Sequence, residues 1–121
     1  MIVSLHHYTL QPNATGEQFE ACVSAARARD LFRLPGLLHY YFLKGVKGAR
    51  AGGYTAVWVY ESREAWEALW GPASRPYAKD RYPANWLVWE DELLRPILDT
   101  DPDRIDFTSY ACFAQGGEGT V

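Results

Sequence analysis

Apolar and polar positions along this chain change rhythm from segment to segment, and the changes predict its elements. Ile2-Val3-Ser4-Leu5-His6-His7-Tyr8-Thr9-Leu10 reads as a first strand. Pro12, Asn13 and Gly16 mark a loop, and Thr15 with Gln18 fits a capping box. Phe19, Cys22, Val23 and Ala26 then recur at helical spacing, which predicts a helix to about Phe32, stopped by Leu34-Pro35-Gly36. A second strand covers Leu37 to Lys44, a glycine-rich hairpin loop runs on to Gly53, and a third strand follows as Tyr54-Thr55-Ala56-Val57-Trp58-Val59-Tyr60. Ser62 is the expected N-cap of a short helix carrying Ala65, Trp66, Leu69 and Trp70, which ends at Gly71-Pro72. The stretch from Ala73 to Asn85 is the least regular. Trp86, Trp89, Leu93, Leu94 and Ile97 predict a third helix, disturbed near Pro96. After a turn from Asp99 to Arg104, Ile105 to Phe113 reads as a fourth strand.

The order β-α-β-β-α-(α)-β is the ferredoxin-like split arrangement of an α+β fold: a four-stranded antiparallel sheet with right-handed crossovers placing all helices on one face. With no internal repeat or long linker, residues 1–114 are expected to form a single domain, and 115–121 a flexible tail.

The strand patterns carry a further expectation. A sheet with one wet face alternates apolar and polar residues. Here strand two sets Leu38, Tyr40 and Phe42 against Leu37, His39, Tyr41 and Leu43, and strand three sets Tyr54, Ala56, Trp58 and Tyr60 against Thr55, Val57 and Val59. Strand four shows Ile105, Phe107 and Phe113 opposite Tyr110 and Cys112. Helices cover one face, so the other requires a cover, most simply the same face of a second copy in a homodimer, burying about 800 Å² per chain. The competing expectation is that the 73–98 segment folds over that face.

Composition narrows the function classes. In 121 residues, 12 basic and 15 acidic side chains give a net charge of -3, which supplies no attraction for nucleic acid or an anionic membrane surface. No signal-peptide pattern and no apolar run of membrane-spanning length is seen, so the reading is a cytoplasmic protein. Cys22 and Cys112 have no short-spaced partner and read as inert core thiols. The 15% aromatic content exceeds the needs of an ordinary core and argues for a cavity wall or an interface.

Candidate chemistry follows from side-chain type and face. His6 and His7 point to opposite faces of strand one, so one is available as a general base in a cleft and the other faces the dimer seam. His7 is the expected base. His39 is expected inside a barrel beside Tyr41, and three scattered histidines give no metal-ligand pattern. Tyr60, with Trp58 and Tyr54 on the same face, and Trp66, one helical turn past the end of strand three, are expected to wall a pocket for a flat aromatic ligand. Tyr77 and Arg81, in the irregular segment, are expected in a lid, with Arg81 as the partner of a bound anion. Core packing and a solvated loop are the plainer readings of these residues. The Lys44–Gly53 loop fits neither a P-loop nor a dinucleotide fingerprint, and no nucleophile–base pair is apparent.

Tyr60-Glu61-Ser62 followed by Glu64-Ala65-Trp66, with Pro35-Gly36 closing the first helix, resembles the dimeric α+β barrel superfamily, and within it the antibiotic biosynthesis monooxygenase-like proteins. The resemblance implies a two-sheet barrel made by two chains, with a small-molecule cleft between each sheet and its own helices. It also implies activities such as cofactor-independent oxygenation of polycyclic phenols or oxidative haem breakdown. Haem-degrading relatives carry an Asn in strand one and a His beyond helix two; this chain has His6 and His7 in strand one and no His after His39, which argues against haem breakdown. Two readings are carried forward. One is a cofactor-independent monooxygenase for a flat phenol, with His7, Tyr60, Trp66 and Arg81 in the roles above and no cofactor. The other is a non-catalytic binding or structural homodimer. Haem binding is a weaker third.

Overall fold

Alternation is strictest in the third strand, and it sets the frame. In β3 (Tyr54–Tyr60), Tyr54, Ala56, Trp58 and Tyr60 are all buried, while Thr55, Val57 and Val59 turn the other way and are half-buried. A computed structural model describes residues 1–117, so the expected tail 115–121 falls outside the described residues from 118 onward. The remaining strands are β1 (Ile2–Tyr8), β2 (Leu37–Lys44) and β4 (Asp106–Ala111), and the sheet order is β2-β3-β1-β4 with every neighbouring pair antiparallel. This is the expected ferredoxin-like topology: each crossover skips over one inserted strand.

The helices start where their caps are. In α1 (Gly16–Ala28), the Thr15 side chain accepts from the Gln18 amide at 3.2 Å while the Gln18 side chain accepts from the Thr15 amide at 2.8 Å. In α2 (Arg63–Trp70), the Ser62 side chain accepts from the Ala65 amide at 3.0 Å. Helix α1 ends earlier than its apolar spacing predicts, because Asp30 takes a left-handed φ of 56°, a conformation that aspartate tolerates. Leu31 and Phe32 stay buried beyond the break.

The third helix is α-helical only over Ala84–Leu87 (α3) and continues as a π-helix over Val88–Leu94, with the Arg95 amide donating to the Glu90 carbonyl at 2.9 Å. The widened turns put Trp86, Trp89 and Leu94 into the core against the sheet: the Trp86 ring lies 5.0 Å from Trp58, and Trp89 lies 5.7 Å from Phe42. This segment therefore packs on the same side of the sheet as α1 and α2 and does not cover the opposite face, which answers the competing expectation for residues 73–98.

That opposite face is open in the single chain. Val3, Leu5, His7, Val57 and Val59 are half-buried on it, and Tyr41, Leu43 and Tyr110 are about half exposed. A bulge between Leu37 and His39 alters strand two: Leu37 packs against the core, while Leu38, expected on the face of Tyr40 and Phe42, is exposed. In β4 the residues facing the helices are Phe107 and Ser109, paired with His6 and Ser4. Cys112 lies past the end of β4 and is exposed rather than a core thiol, whereas half-buried Cys22 donates to the Leu93 carbonyl at 3.3 Å.

Candidate functional site

The twist between sheet and helices leaves a cavity of about 340 Å³ at the β4 side of the molecule. Its floor is the inner face of β1 and β4. Ser4 and Ser109 sit opposite each other and share a hydrogen bond between their Oγ atoms at 2.7 Å; His6 and Phe107 are the next pair along, with ring centroids 5.8 Å apart. One wall is α2 with Tyr60: the Trp70 indole N–H donates to the Tyr60 hydroxyl at 3.2 Å, and Trp66 lies beside it. The facing wall is the third helix, through Trp86 and Glu90, and the rim is closed by Tyr82 and by Asp103 in the 3-10 turn Pro102–Arg104. Gly71 closes the α2 corner with a φ of 85°, where a Cβ would lie 2.6 Å from the Tyr77 amide nitrogen.

Aromatic rings dominate this lining. Trp70 lies 5.2 Å from Tyr82 and 5.3 Å from Trp86 at steep interplanar angles, and the His6 ring sits 6.0 Å from Trp86 and 5.9 Å from Trp58. Two groups set the polarity. Burial, with a smaller contribution from neighbouring His7, holds the His6 imidazole down to about 3, so it is neutral at physiological pH, and its Nδ1 has no partner. Glu90 is only 5% exposed and its Oε1 meets no donor. Burial first, and then the Asp103 carboxylate, push the Glu90 carboxyl up to about 7, against the pull of Lys79. The same carboxylates reach Tyr82, whose phenol is raised by burial and then by Asp103 and Glu90.

The expected site residues divide between the two faces. Tyr60 and Trp66 line the cavity. His7, the expected base, does not: it lies on the open face of β1, hydrogen-bonded through Nδ1 to Thr55 Oγ1 at 2.9 Å, and His6 takes the inner position because residues two apart share a face and Ser4 and Tyr8 point inward. His39 is exposed on that same open face beside Tyr41, with ring centroids 6.5 Å apart. Tyr77 and Arg81 stay outside the cavity lining; the Arg81 guanidinium stacks over the Tyr77 ring at 3.8 Å instead of facing an anion site. Glu90 was missed by the sequence reading. Its signal was present as a carboxylate at the centre of an i, i+4, i+8 apolar stripe between Trp86 and Leu94, a position where a solvated charge has no place. Among the described residues no group of three or more His, Cys, Asp or Glu side chains is placed to hold a metal ion, and no helix is long and apolar enough to cross a membrane.

No family model matches the chain, and no curated protein sequence does. Solved structures match it over nearly its full length. MhuD, a heme-degrader from Mycobacterium tuberculosis with two hemes bound in its active site, is 21% identical with a TM-score of 0.62, covering 97% of this chain and 100% of that one. SnoaB, a cofactor-independent oxygenase from Streptomyces nogalater, is 13% identical with a TM-score of 0.59, covering 94% of each chain. A dimeric ferredoxin-like protein of unknown function from Thermobifida fusca is 15% identical with a TM-score of 0.56, covering 92% of this chain and 90% of that one. At such identities the likeness is one of fold. The chain has a ferredoxin-like α+β fold, the fold of these solved structures and of others described as putative antibiotic biosynthesis monooxygenases.

Proposed function

We propose that this protein binds a flat, largely apolar aromatic molecule in the cavity between sheet and helices and oxygenates it without a cofactor. The observation that carries the reading is the buried carboxyl of Glu90, unpaired at Oε1 and raised to about 7, set in a lining rich in aromatic rings. A carboxylate so raised is a far better match to a phenol of pKa about 10 than an ordinary one, so Glu90 takes the proton of a ligand hydroxyl. The electron-rich phenolate then reacts with dioxygen at a ring carbon. One oxygen atom enters the ring, the other leaves as water with both hydrogens, and a phenol plus O₂ becomes a quinone plus H₂O. The chain's part is to exclude water, orient the ring between Trp66, Trp70 and Trp86, and move one proton at Glu90. His6 stays neutral and serves as a hydrogen-bonding group on the floor. Fold kinship with the oxygenase SnoaB supports this reading without carrying it.

The same reading places a second copy over the open sheet face, as the apolar Leu5, Val57, Leu43 and Tyr110 require, and as the dimeric relative of this fold suggests. The test is oxygen uptake with a panel of polycyclic phenols. Glu90→Gln should abolish the uptake that wild type supports, and His7→Ala should leave the proton-transfer step unchanged. Equal rates for wild type and Glu90→Gln would overturn the mechanism.

A further inference from the structure

A phenolate needs a countercharge, and this cavity offers none of its own. No Lys or Arg lines it among the described residues. Around it, Glu90, Asp91, Asp101 and Asp103 are answered by two cations only, among the described residues. Lys79 bonds Asp91 at 2.7 Å and reaches Asp103 at 3.8 Å, and Arg95 is spent on Asp91 and Asp101 at 2.7 and 2.8 Å. Glu90 makes no ion pair among the described residues. The rings of Tyr82 and Trp86 line the same cavity as Glu90 and Asp103, each meeting Trp70 at a steep angle with centroids 5.2 and 5.3 Å away. Rings at such angles beside an unpaired, buried carboxylate are the two elements that recognise an organic cation: the π faces attract the charge, and the carboxylate accepts its N–H.

We infer that the ligand of this cavity carries a basic nitrogen, protonated in solution, which seats between the Trp70–Tyr82–Trp86 corner and the Glu90 and Asp103 carboxylates. The inference rests on the reading of this cavity as a ligand site and names the chemical class of what enters it: an aromatic amine in place of a carboxylated or phosphorylated aromatic. A nitrogen of this kind also supplies the positive charge that a hydroxyl on the same molecule needs in order to ionise in such surroundings. The groups that face Glu90 and tune this preference with pH are Asp103 from the 3-10 turn, Lys79 and Tyr82 from the rim segment, Asp91 on its own helix, and Tyr8 from β1. Glu90 is ionised above about 7, so cation affinity should rise as pH passes upward through that value and level off beyond it.

The test uses three probes of one shape, 2-naphthylmethylammonium, 2-naphthylmethanol and 2-naphthoate, titrated into the full chain by calorimetry at pH 8. The ammonium should bind roughly tenfold or more tighter than the alcohol, and the naphthoate weakest. Glu90→Gln should erase most of that gap while leaving the affinity for the alcohol within about twofold. Asp103→Asn, at the solvent-exposed rim, should narrow the gap without risk to the core. If the alcohol or the naphthoate binds as tightly as the ammonium, the charge assignment falls while the cavity stands as an aromatic site. If none of the three binds, both readings fall.

Discussion

Glu90→Gln tests the electrostatics of the cavity without any ligand. In the folded chain the carboxyl is raised from its ordinary 4.5 to about 7, chiefly by burial. The native state therefore holds its proton between those two values while the unfolded chain has released it. The sign follows from linkage: where the folded state binds more protons, stability falls as pH rises. Wild type should lose stability from pH 4.5 up to about 7 on account of this group, and no more above that. A displacement of this size corresponds to ~3 kcal/mol at pH 8, or roughly 10 °C in Tm for a chain of this length. Glutamine keeps the shape and cannot ionise. Its amide brings a cost of its own of about 1–3 kcal/mol if it finds no acceptor, but that cost does not change with pH. His6, held down to about 3, gives the opposite trend, with stability rising from about 3 to 6.5 and complete above that, yet it contributes equally to both proteins and drops out of the comparison. The assay is thermal or urea unfolding of wild type and variant from pH 4 to 8.5. The variant's relative stability should climb by about 3 kcal/mol across the window and flatten on either side. A difference that does not vary with pH would show the Glu90 carboxyl losing its proton in the folded state as readily as in the unfolded chain, and would remove it as a proton acceptor.

Two further outcomes are expected. Gly71→Ala should cost about 2 kcal/mol or more in chemical denaturation, because the residue sits at φ 85° and its Cβ would press on the Tyr77 amide; a neutral result would mean that this corner is free to move. Val57→Lys, at the centre of the open sheet face, should give a folded monomer by analytical ultracentrifugation where wild type sediments as a dimer; a wild-type monomer at micromolar concentration would sink the two-chain barrel.

Much of the architecture was written in local pattern. The Thr15 and Ser62 caps, the alternation of β3 and the Pro35-Gly36 turn are each decided by neighbours in sequence, and they appear where expected. Gly36 shows why: at φ 79°, with a Cβ position 2.5 Å from Ala65 Cβ, only glycine fits. The site was only half legible. Tyr60 and Trp66 face the cavity because period and cap fix their direction, whereas the choice between His6 and His7 depends on which face of β1 the helices cover. Both faces of that strand are apolar enough to serve. The β2 bulge shifts Leu38 outward with no residue to announce it. Arg81 was assigned by charge type, but its planar head found a ring, Tyr77, closer than any anion. Glu90 stood in the pattern, on the stripe of Trp86 and Leu94, but a carboxylate reads as a solvated position until the burial of that stripe is known.

That irregular coil from Val88 to Leu94 also acts as a rotary joint. Each residue of an ordinary helix advances the side chains by about 100°. Deleting any one residue within the coil would let it relax to the tighter form, and Trp86 before it and Ile97 and Leu98 after it could no longer address the sheet together. A chain of this architecture lacking that single extra residue would need another side chain to occupy the place of Glu90. Which side chain reaches the cavity from this coil is thus set by helix length as well as by residue type.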